Sequence, residues 1–397
     1  MSLRETPWTV LIVAAVSASP AAGAGDVTYA ERLGWPTGTK AVIFHVDDAG
    51  MSYDSNIGTI QALEGGVATS TSIMMPCPWV PQFAAYLRER PQADAGIHLT
   101  LTAEWKNYRW GPVAGKPAVP GLVDEQGCLW RGVLDVVNHA SPDEFETEIR
   151  AQIDKALALG IQPTHLDSHM GTCFHQSYVE RYIKVGVEKK IPVLMFGGHM
   201  QHIGAEAAEF KPLIHMLAEK VWQAGLPVID DLVTQPTRGE TYEQRKTELF
   251  QLLTDMKPGI TQIIVHCTAP TEVFQHISGS GKARQAELCL MTDPEVRAFI
   301  KDKGIVLTTW RELKQRRDSA VAPGAAASNS CGSGTAIRNV LPLPTVLLIF
   351  MRPPSSSTRS RMLSNPRPAA GTRDLAASGI ATADHPRRPV ADSPALR

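Results

Sequence analysis

The sequence lacks an excess of charge of either sign, and this absence argues against a polyanion partner. Its 397 residues include 39 Lys and Arg and 40 Asp and Glu, so the formal net charge is −1. A protein that binds nucleic-acid phosphates needs a surplus of basic side chains on one face. We therefore expect no nucleic-acid partner, while the hydrophobic content of 43% is ordinary for a globular protein.

Closely spaced cysteine pairs are missing as well, which argues against a structural zinc ribbon or finger. The six cysteines stand at positions 77, 128, 173, 267, 289 and 331, and none forms a Cys-x-x-Cys pair. Such pairs are the usual signature of a structural zinc site. A chain of this length can bury a core without disulfides, so the sequence leaves disulfide pairing undecided.

The apolar segments are too short to cross a membrane. A membrane-spanning helix needs about 20 consecutive apolar residues. The segments 10–18 (VLIVAAVSA) and 340–351 (VLPLPTVLLIFM) are shorter, and the second contains two prolines. We expect no stable membrane insertion, and the sequence leaves oligomerisation open.

The first of these segments has the pattern of an export signal. Arg4 precedes it, and the small residues 21–24 (AAGA) follow it. A basic start, a short apolar stretch and a small-residue cleavage site are typical of a secretory signal peptide. We predict a signal peptide over 1–24, a polar lead-in over 25–40, and export to a periplasm or to the medium. The alternative is an N-terminal extension without structure.

Short β-branched runs alternate with amphipathic helical stretches from residue 41 to residue 317. The predicted strands are 41–46, 67–75, 95–101, 164–168, 192–196, 227–233, 261–266 and 305–308. The predicted helices are 56–64, 80–90, 142–159, 177–190, 205–224, 242–256 and 294–303. Such alternation predicts an α/β fold with a parallel sheet. Because a Gly-rich dinucleotide loop is missing, we predict a TIM-like (β/α) barrel of seven or eight strands, distorted or incomplete, rather than a Rossmann sheet.

The composition changes after residue 317. Residues 318–397 are rich in Ala, Ser, Pro and Arg, contain few acidic residues and show no periodicity. Such a segment cannot bury enough apolar surface to fold, so we predict a low-complexity, disordered tail. An alternative hypothesis is that the tail is an out-of-frame extension of the reading frame.

Polar side chains interrupt four of the predicted strands near their carboxyl ends. They are His45, Asp47 and Asp48; His98; His165, Asp167 and His169; and His266. In a (β/α) barrel the carboxyl ends of the strands and the loops that follow them form the active site. The sequence therefore predicts that four strands deliver carboxylates and imidazoles to one place.

One Asp and two His form a sensible ligand set for a divalent metal that keeps open positions. A second carboxylate beside such a site can accept a proton from a metal-bound water. Asp47 and Asp48 supply both carboxylates from one loop. Since adjacent strand residues point in opposite directions, the pair must lie where the backbone leaves the strand, and Gly50 permits that turn.

At these positions the sequence resembles the YdjC/ChbG-type carbohydrate deacetylases, a family that includes chitooligosaccharide deacetylase. The resemblance covers residues 41–317. It rests on HVDDAGMS at 45–52, GIHLTLT at 96–102 and THLDSHMG at 164–171, with GGVATSTS at 65–72 similar to the second strand of the family.

The resemblance implies a site and an activity. One divalent metal ion, zinc or magnesium, would be held by Asp48, His98 and His169, with Asp47 as the catalytic base. Members of the family remove acetyl groups from N-acetylated sugars, and two imidazoles suit zinc better than magnesium. The sequence departs from the family where 170–173 (MGTC) replaces further histidines and where Cys267 replaces a proline, which leaves the substrate and the acid open.

Other polar and aromatic residues receive secondary roles. We expect His165 and Asp167 to orient His169 or brace its loop, and His45 to lie in a second layer or in the core. His266 is either a general acid, a substrate contact or a structural residue. The aromatic side chains of an insertion after the third strand form either a sugar-stacking wall or a packed lid; they are Trp105, Tyr108 and Trp110.

These observations favour a metal-dependent hydrolase that removes N-acetyl groups from an amino sugar or a short glycan. One alternative is a metal-dependent amidohydrolase that acts on a non-sugar amide with the same ligands. Another is a non-catalytic carbohydrate-binding barrel. A glycosidase is disfavoured, because two adjacent carboxylates do not readily flank a glycosidic bond at the separation of roughly 5–9 Å that this chemistry needs.

Overall fold

The computed structural model describes residues 27–202 and 205–321. The predicted signal peptide, 1–24, and residues 322–397 of the predicted tail lie outside the described residues. Among the helices of the described ranges, none is both long enough and apolar enough to span a bilayer.

A curled, fully parallel sheet forms the centre of the fold. Its strands are β1 (Lys40–Ala49), β2 (Ser70–Ile73), β3 (Ala95–Leu99), β4 (Leu166–Ser168), β5 (Asp231–Val233), β6 (Gly259–Val265) and β7 (Val306–Leu307). Six strands follow the order β4-β3-β2-β1-β6-β5, and the short β7 pairs with the start of β1. Both faces of the sheet are covered, so residues 41–49 of β1 are buried without interruption.

Single bridges connect the two ends of this six-strand path. Val193 pairs in parallel with Leu166 of β4, and Phe196 pairs in parallel with Ile229, which precedes β5. The predicted strand 192–196 is therefore extended and in place, but it makes isolated bridges rather than a continuous ladder. The predicted α/β, TIM-like barrel with a distorted closure is confirmed.

Eleven α-helices lie within the described ranges. They are α1 (Tyr29–Arg32), α2 (Tyr53–Glu64), α3 (Val80–Glu89), α4 (Val133–His139), α5 (Pro142–Ala158), α6 (Val179–Lys189), α7 (Lys211–Gln223), α8 (Tyr242–Asp255), α9 (Gly281–Thr292), α10 (Pro294–Asp302) and α11 (Trp310–Val321). The sequence analysis missed α1, α4, α9 and α11, and part of the predicted helix 205–224 is the 3-10 turn Ala205–Phe210. Because α11 continues to Val321, residues 318–321 of the predicted tail are helical.

Local capping explains where the helices begin. Ser141 accepts a hydrogen bond from the backbone N–H of Glu144, whose carboxylate returns to Ser141, and Pro142 opens α5 as expected. Ser52 caps α2 in a similar way through the N–H of Ser55. The helix predicted at 56–64 therefore starts three residues earlier, immediately after the end of β1.

A buried carboxylate attaches the N-terminal helix α1 to the barrel. Asp230 accepts hydrogen bonds from the N–H groups of Tyr29 at 2.8 Å, Ala30 at 3.2 Å and Ile260 at 2.8 Å. Burial raises the pKa of Asp230 to about 6 even though these donors favour the charged form. Part of the segment expected to be a polar lead-in is thus packed on the barrel.

Candidate metal centre and active site

The end of β1 turns both of its carboxylates toward the same side. Asp48 has a φ of 68° and Gly50 a φ of 81°, and the pairing of β1 with β2 shifts its register between Val46 and Ala49. This break cancels the alternation of a regular strand, so Asp47 and Asp48 both approach His98. The expectation that the pair lies where the backbone leaves the regular strand is consistent with this geometry.

Three side chains from β1, β3 and the end of β4 converge in a buried cluster, here called the metal triad: Asp48, His98 and His169. Asp48 Oδ1 lies 3.5 Å from His98 Nε2 and 3.4 Å from His169 Nδ1. One potential ligand atom from each residue lies within 4.8 Å of the others. None of the three is more than 5% exposed.

The spacing of the metal triad fits a divalent ion. Ligand atoms bound at 2.0–2.2 Å to a tetrahedral zinc ion lie roughly 3.3–3.6 Å apart, as these pairs do. Asp48 Oδ1 is buried and accepts no hydrogen bond from the described residues. A buried, unsatisfied carboxylate oxygen between two imidazole nitrogens is the arrangement that a cation would complete.

Arg284 of α9 neutralises the other oxygen of Asp48. Its Nη1 lies 2.7 Å from Asp48 Oδ2, and both side chains are buried. Burial opposes ionisation of Asp48, but Arg284 and then His169 outweigh burial and hold the pKa of this carboxyl well below its usual range. Asp48 is therefore ionised, as a metal ligand must be.

Asp167 links His98 to His45. Its Oδ1 lies 2.8 Å from His98 Nδ1, and its Oδ2 lies 2.9 Å from His45 Nε2. Burial disfavours the carboxylate, but the two histidines lower the pKa of Asp167 far below its usual value. Asp167 was expected to orient His169 or brace its loop; in the structure it orients His98 instead, because β3 and β4 are adjacent and pair His98 with Asp167.

His165 stays in the core. Its ring stacks on Trp310 at 5.3 Å, its Nδ1 lies 3.0 Å from Thr164 Oγ1, and its Nε2 is 3.9 Å from Asp167. Burial lowers the pKa of His165 well below its usual value, so the ring is neutral. The structure gives His165 a packing position and no contact with His169.

The outer nitrogen of His169 faces Glu104, a residue that the sequence analysis did not single out. His169 Nε2 lies 3.1 Å and 3.2 Å from the two carboxylate oxygens. Burial disfavours the charged ring, but Glu104 and Asp48 raise the pKa of His169 to about 10. Glu104 stands two residues after the GIHLTLT motif. Its position soon after a strand end is the feature of the sequence that could have indicated a role in the site.

Asp47 and His266 lie beside the metal triad. Asp47 Oδ1 is 3.2 Å from His45 Nε2, while Oδ2 is 3.6 Å from His98 Nε2 and 3.9 Å from His266 Nε2. His266 follows β6, is 25% exposed at its side chain, and places Nδ1 3.7 Å from Glu287 of α9. The backbone N–H of His266 also donates to Glu287 at 2.6 Å.

The three candidate sugar contacts differ in position. The ring of Trp105 lies 6.4 Å from that of His169 and is partly buried. The hydroxyl of Tyr108 donates to the carbonyl of Met51. Trp110 is buried and donates from Nε1 to the carbonyl of Thr102, so it braces the insertion rather than facing a ligand.

The fold and the cluster together define a (β/α)-barrel protein with a candidate metal site at the carboxyl ends of its strands. The family model described as YdjC-like protein matches residues 41–302. The chain belongs to this family.

Known proteins that resemble the chain are named as sugar deacetylases. A carbohydrate deacetylase of Thermoanaerobacter pseudethanolicus is 29% identical over 277 residues, which are 69% of this chain and all of the relative. A carbohydrate deacetylase of Thermus thermophilus is 27% identical over 72% of this chain and 97% of its own length. A chitooligosaccharide deacetylase of Yersinia enterocolitica is 33% identical over 135 residues, a third of this chain and 49% of the relative.

One solved structure supports the fold. A protein of Enterococcus faecalis, described in connection with cellobiose-phosphate cleavage, superposes with a TM-score of 0.59 and 23% identity. The match covers 69% of this chain and 99% of that chain. At this identity the likeness concerns the architecture alone.

Proposed function

We propose that this chain is a carbohydrate N-deacetylase, which hydrolyses the acetamide of an N-acetylated amino sugar or short glycan to acetate and a free amine. The observation that carries the proposal is the buried metal triad with Asp47 beside it. Membership of the YdjC-like family and relatives named carbohydrate deacetylase support the same reaction.

The proposed cofactor is one divalent metal ion held by Asp48, His98 and His169. A bound divalent cation supplies an activated water and polarises the amide carbonyl. Two imidazoles and one carboxylate favour zinc over magnesium, which prefers oxygen ligands. Arg284 and Asp167 keep Asp48 and His98 oriented for this role.

Asp47 is the proposed general base. Oδ1 of Asp47 lies 3.2 Å from His45 Nε2, and Oδ2 faces His98 and His266. Burial excludes bulk water from this carboxylate, so Oδ2 can take a proton from the attacking water inside the site. The presence of this group beside the triad argues against a barrel that only binds carbohydrate.

His266 is the proposed general acid. It is the more accessible of the two imidazoles that approach Asp47 Oδ2. Glu287 accepts a hydrogen bond from the backbone N–H of His266 and faces Nδ1 of the same residue. These contacts orient the ring so that Nε2 can donate a proton to the departing amine.

Acetate release from a panel of N-acetylated sugars and chitooligosaccharides tests the proposal. Metal-stripped protein is assayed alone and after addition of zinc or magnesium. We expect acetate only after metal addition, and His98→Ala should bind metal too weakly to restore it. If the metal-loaded protein releases acetate from N-acetylated non-sugar amides but from no sugar, the amidohydrolase alternative replaces this proposal.

We further propose that the protein is exported. The support is the order of Arg4, the apolar stretch 10–18 and the small residues 21–24. The N-terminal peptide of the protein recovered from its native cells tests this. A peptide that begins near residue 25 is expected, and an intact start at Met1 in the cytoplasmic fraction would contradict export.

A further inference from the structure

Two large aromatic side chains lie together on the surface and contribute to no part of the site described so far. Tyr53 is 47% exposed and Trp79 is 40% exposed. Their ring centroids are 5.3 Å apart and their planes are inclined by 57°. We call these two residues the rim pair. Partly exposed aromatic side chains offer apolar area that a bound ligand can bury.

The topology places the rim pair on the same face as the metal triad. Tyr53 opens α2 immediately after β1, and Trp79 lies between β2 and α3. Both therefore follow shortly after the carboxyl ends of strands, and β1 and β2 are paired neighbours. Asp48, near the end of β1, stands five residues before Tyr53, the first residue of α2.

A buried amide fixes the rim pair to the loop that carries the two carboxylates. Asn56 is fully buried, accepts the N–H of Gly50 at 2.6 Å and donates to the carbonyl of Trp79 at 3.0 Å. The N–H of Trp79 also donates to the carbonyl of Gly50 at 3.1 Å. The aromatic surface is thus preorganised rather than a freely moving loop, which lowers the entropy cost of binding.

Further aromatic rings lead from the metal triad toward the rim pair. Trp105 lies 6.4 Å from His169, and Tyr108 lies 6.5 Å from Trp105. The hydroxyl of Tyr108 donates to Met51, two residues before Tyr53. Tyr108 therefore connects the aromatic rings beside His169 to the segment that joins β1 to Tyr53.

We propose that the rim pair is a sugar-binding subsite, which holds a second or third residue of an oligosaccharide whose N-acetylated unit lies at the metal triad. A pyranose ring presents an apolar C–H face that packs on an aromatic face, with hydroxyls at its edge. Gln82 accepts a hydrogen bond from Asn56, the residue that also donates to the carbonyl of Trp79. The inference rests on the proposed deacetylase function and specifies a short glycan chain as its substrate.

The test compares the rates for the monosaccharide and for the tetramer of N-acetylglucosamine. In Trp79→Ala and Tyr53→Ala the ratio of kcat/KM for the tetramer to that for the monosaccharide should fall about tenfold, the equivalent of one lost aromatic contact. Trp79→Phe should retain most of this ratio. Met216→Ala, which removes another exposed apolar side chain on α7, serves as the matched control and should leave the ratio unchanged.

A binding measurement separates this proposal from the proposed function. Tetramer affinity is measured by calorimetry in the Asp47→Asn background, with and without Trp79→Ala, so that turnover does not interfere. If the parent protein releases no acetate but binds the tetramer in a Trp79-dependent manner, the deacetylase function fails and the subsite stands.

Other outcomes overturn the subsite. Equal losses for monosaccharide and tetramer would show that the substitutions disturb the β1 loop. An unchanged ratio together with unchanged tetramer affinity would show that no sugar contacts the rim pair. A change of oligomeric state in Trp79→Ala, measured by light scattering, without a change of the ratio would identify the surface as a contact between copies of this chain.

Discussion

Adjacent carboxylates acquire different properties in this site because each meets different partners. Asp48 pairs with the guanidinium of Arg284, which fixes its charge and leaves one oxygen to the imidazoles. Asp47 has no arginine partner among the described residues and meets only histidines, which can exchange protons with it. One residue is thereby suited to bind a cation and its neighbour to move a proton.

Asp47→Asn should reduce turnover by about 10²- to 10⁴-fold while leaving metal affinity close to that of the parent protein. The amide retains the shape of the side chain but cannot accept a proton from water. Acetate release gives the rate and isothermal titration with zinc gives the affinity. Near-normal turnover in Asp47→Asn would show that the base has been assigned to the wrong residue.

Asp167→Asn should weaken metal binding about 10- to 100-fold although Asp167 is not itself a proposed ligand. The substitution removes the charge that orients His98 through Nδ1 at 2.8 Å. Asp154→Asn is the matched control, because within residues 27–202 and 205–321 Asp154 pairs only with an exposed lysine, at 3.2 Å on the surface. Equal zinc affinities for the two variants would rule out an orienting role for Asp167.

At the scale of elements, the end of β1 shows how a regular strand is altered to build a site. The left-handed backbone at Asp48 costs on the order of 1–3 kcal/mol and persists only because the surroundings hold it. Gly50 completes the turn, and a Cβ atom there would lie 2.7 Å from Cγ2 of the buried Val80. The turn therefore depends both on backbone freedom and on the absence of a side chain.

Gly50→Ala should lower the free energy of unfolding by about 2–4 kcal/mol, the sum of a left-handed alanine and overpacking against Val80. Gly127→Ala is the control, since Gly127 has a φ of 80° but open space around its Cα. That control should cost only about 1 kcal/mol. Urea unfolding measures both variants, and equal losses would show that contact with Val80 plays no part.

Asp230→Asn should remove a pH dependence of stability that the burial of this carboxyl introduces. The pKa of Asp230 is about 6 in the folded protein, against 3.8 ordinarily, so the folded state retains this proton more tightly than the unfolded state. The contribution of Asp230 to the free energy of unfolding is therefore fully present below about pH 4 and is lost as the pH rises to about 6. At about 1.4 kcal/mol per unit of pKa, the loss amounts to roughly 3 kcal/mol.

Denaturant unfolding of both proteins at pH 4 and pH 7 isolates this contribution, because other titrating groups are common to the two. The parent protein should lose about 3 kcal/mol more than Asp230→Asn between the two pH values. Parallel pH profiles would mean that Asp230 titrates in the folded protein as it does in the unfolded chain.

At the scale of the whole molecule, the sequence was sufficient for the barrel and for the convergence of its polar strand ends. The predicted strands overlap each of the seven strands of the sheet, and the polar residues at 45–48, 98, 165–169 and 266 stood out against apolar strands. It could not show that 192–196 forms bridges rather than a strand, since an extended, buried segment has the same pattern in either state.

Helix α9 explains why part of the site was missed. Its inward face carries the buried Arg284 and Glu287 beside Leu288, so a helix that packs on the barrel lacks the apolar stripe by which such helices are recognised. The two polar residues contact Asp48 and His266, which lie far from them in sequence. The side chains that contact the candidate site therefore occupy positions where a barrel helix usually carries apolar residues, and the sequence pattern of α9 does not indicate a helix.

The barrel is closed by single bridges, so the segment 192–196 has fewer hydrogen bonds to its neighbours than the strands of the sheet have. β1 and β6 are paired over seven residues, whereas Val193 and Phe196 each bridge to a neighbour at one position. In hydrogen–deuterium exchange, the amides of Leu194 and Ile229 should therefore lose protection before those of β1 and β6. Opening along this line would leave the path β4-β3-β2-β1-β6 intact. Local opening at these bridges would therefore preserve the pairing of β1, β3 and β4, which carry or precede the residues of the metal triad.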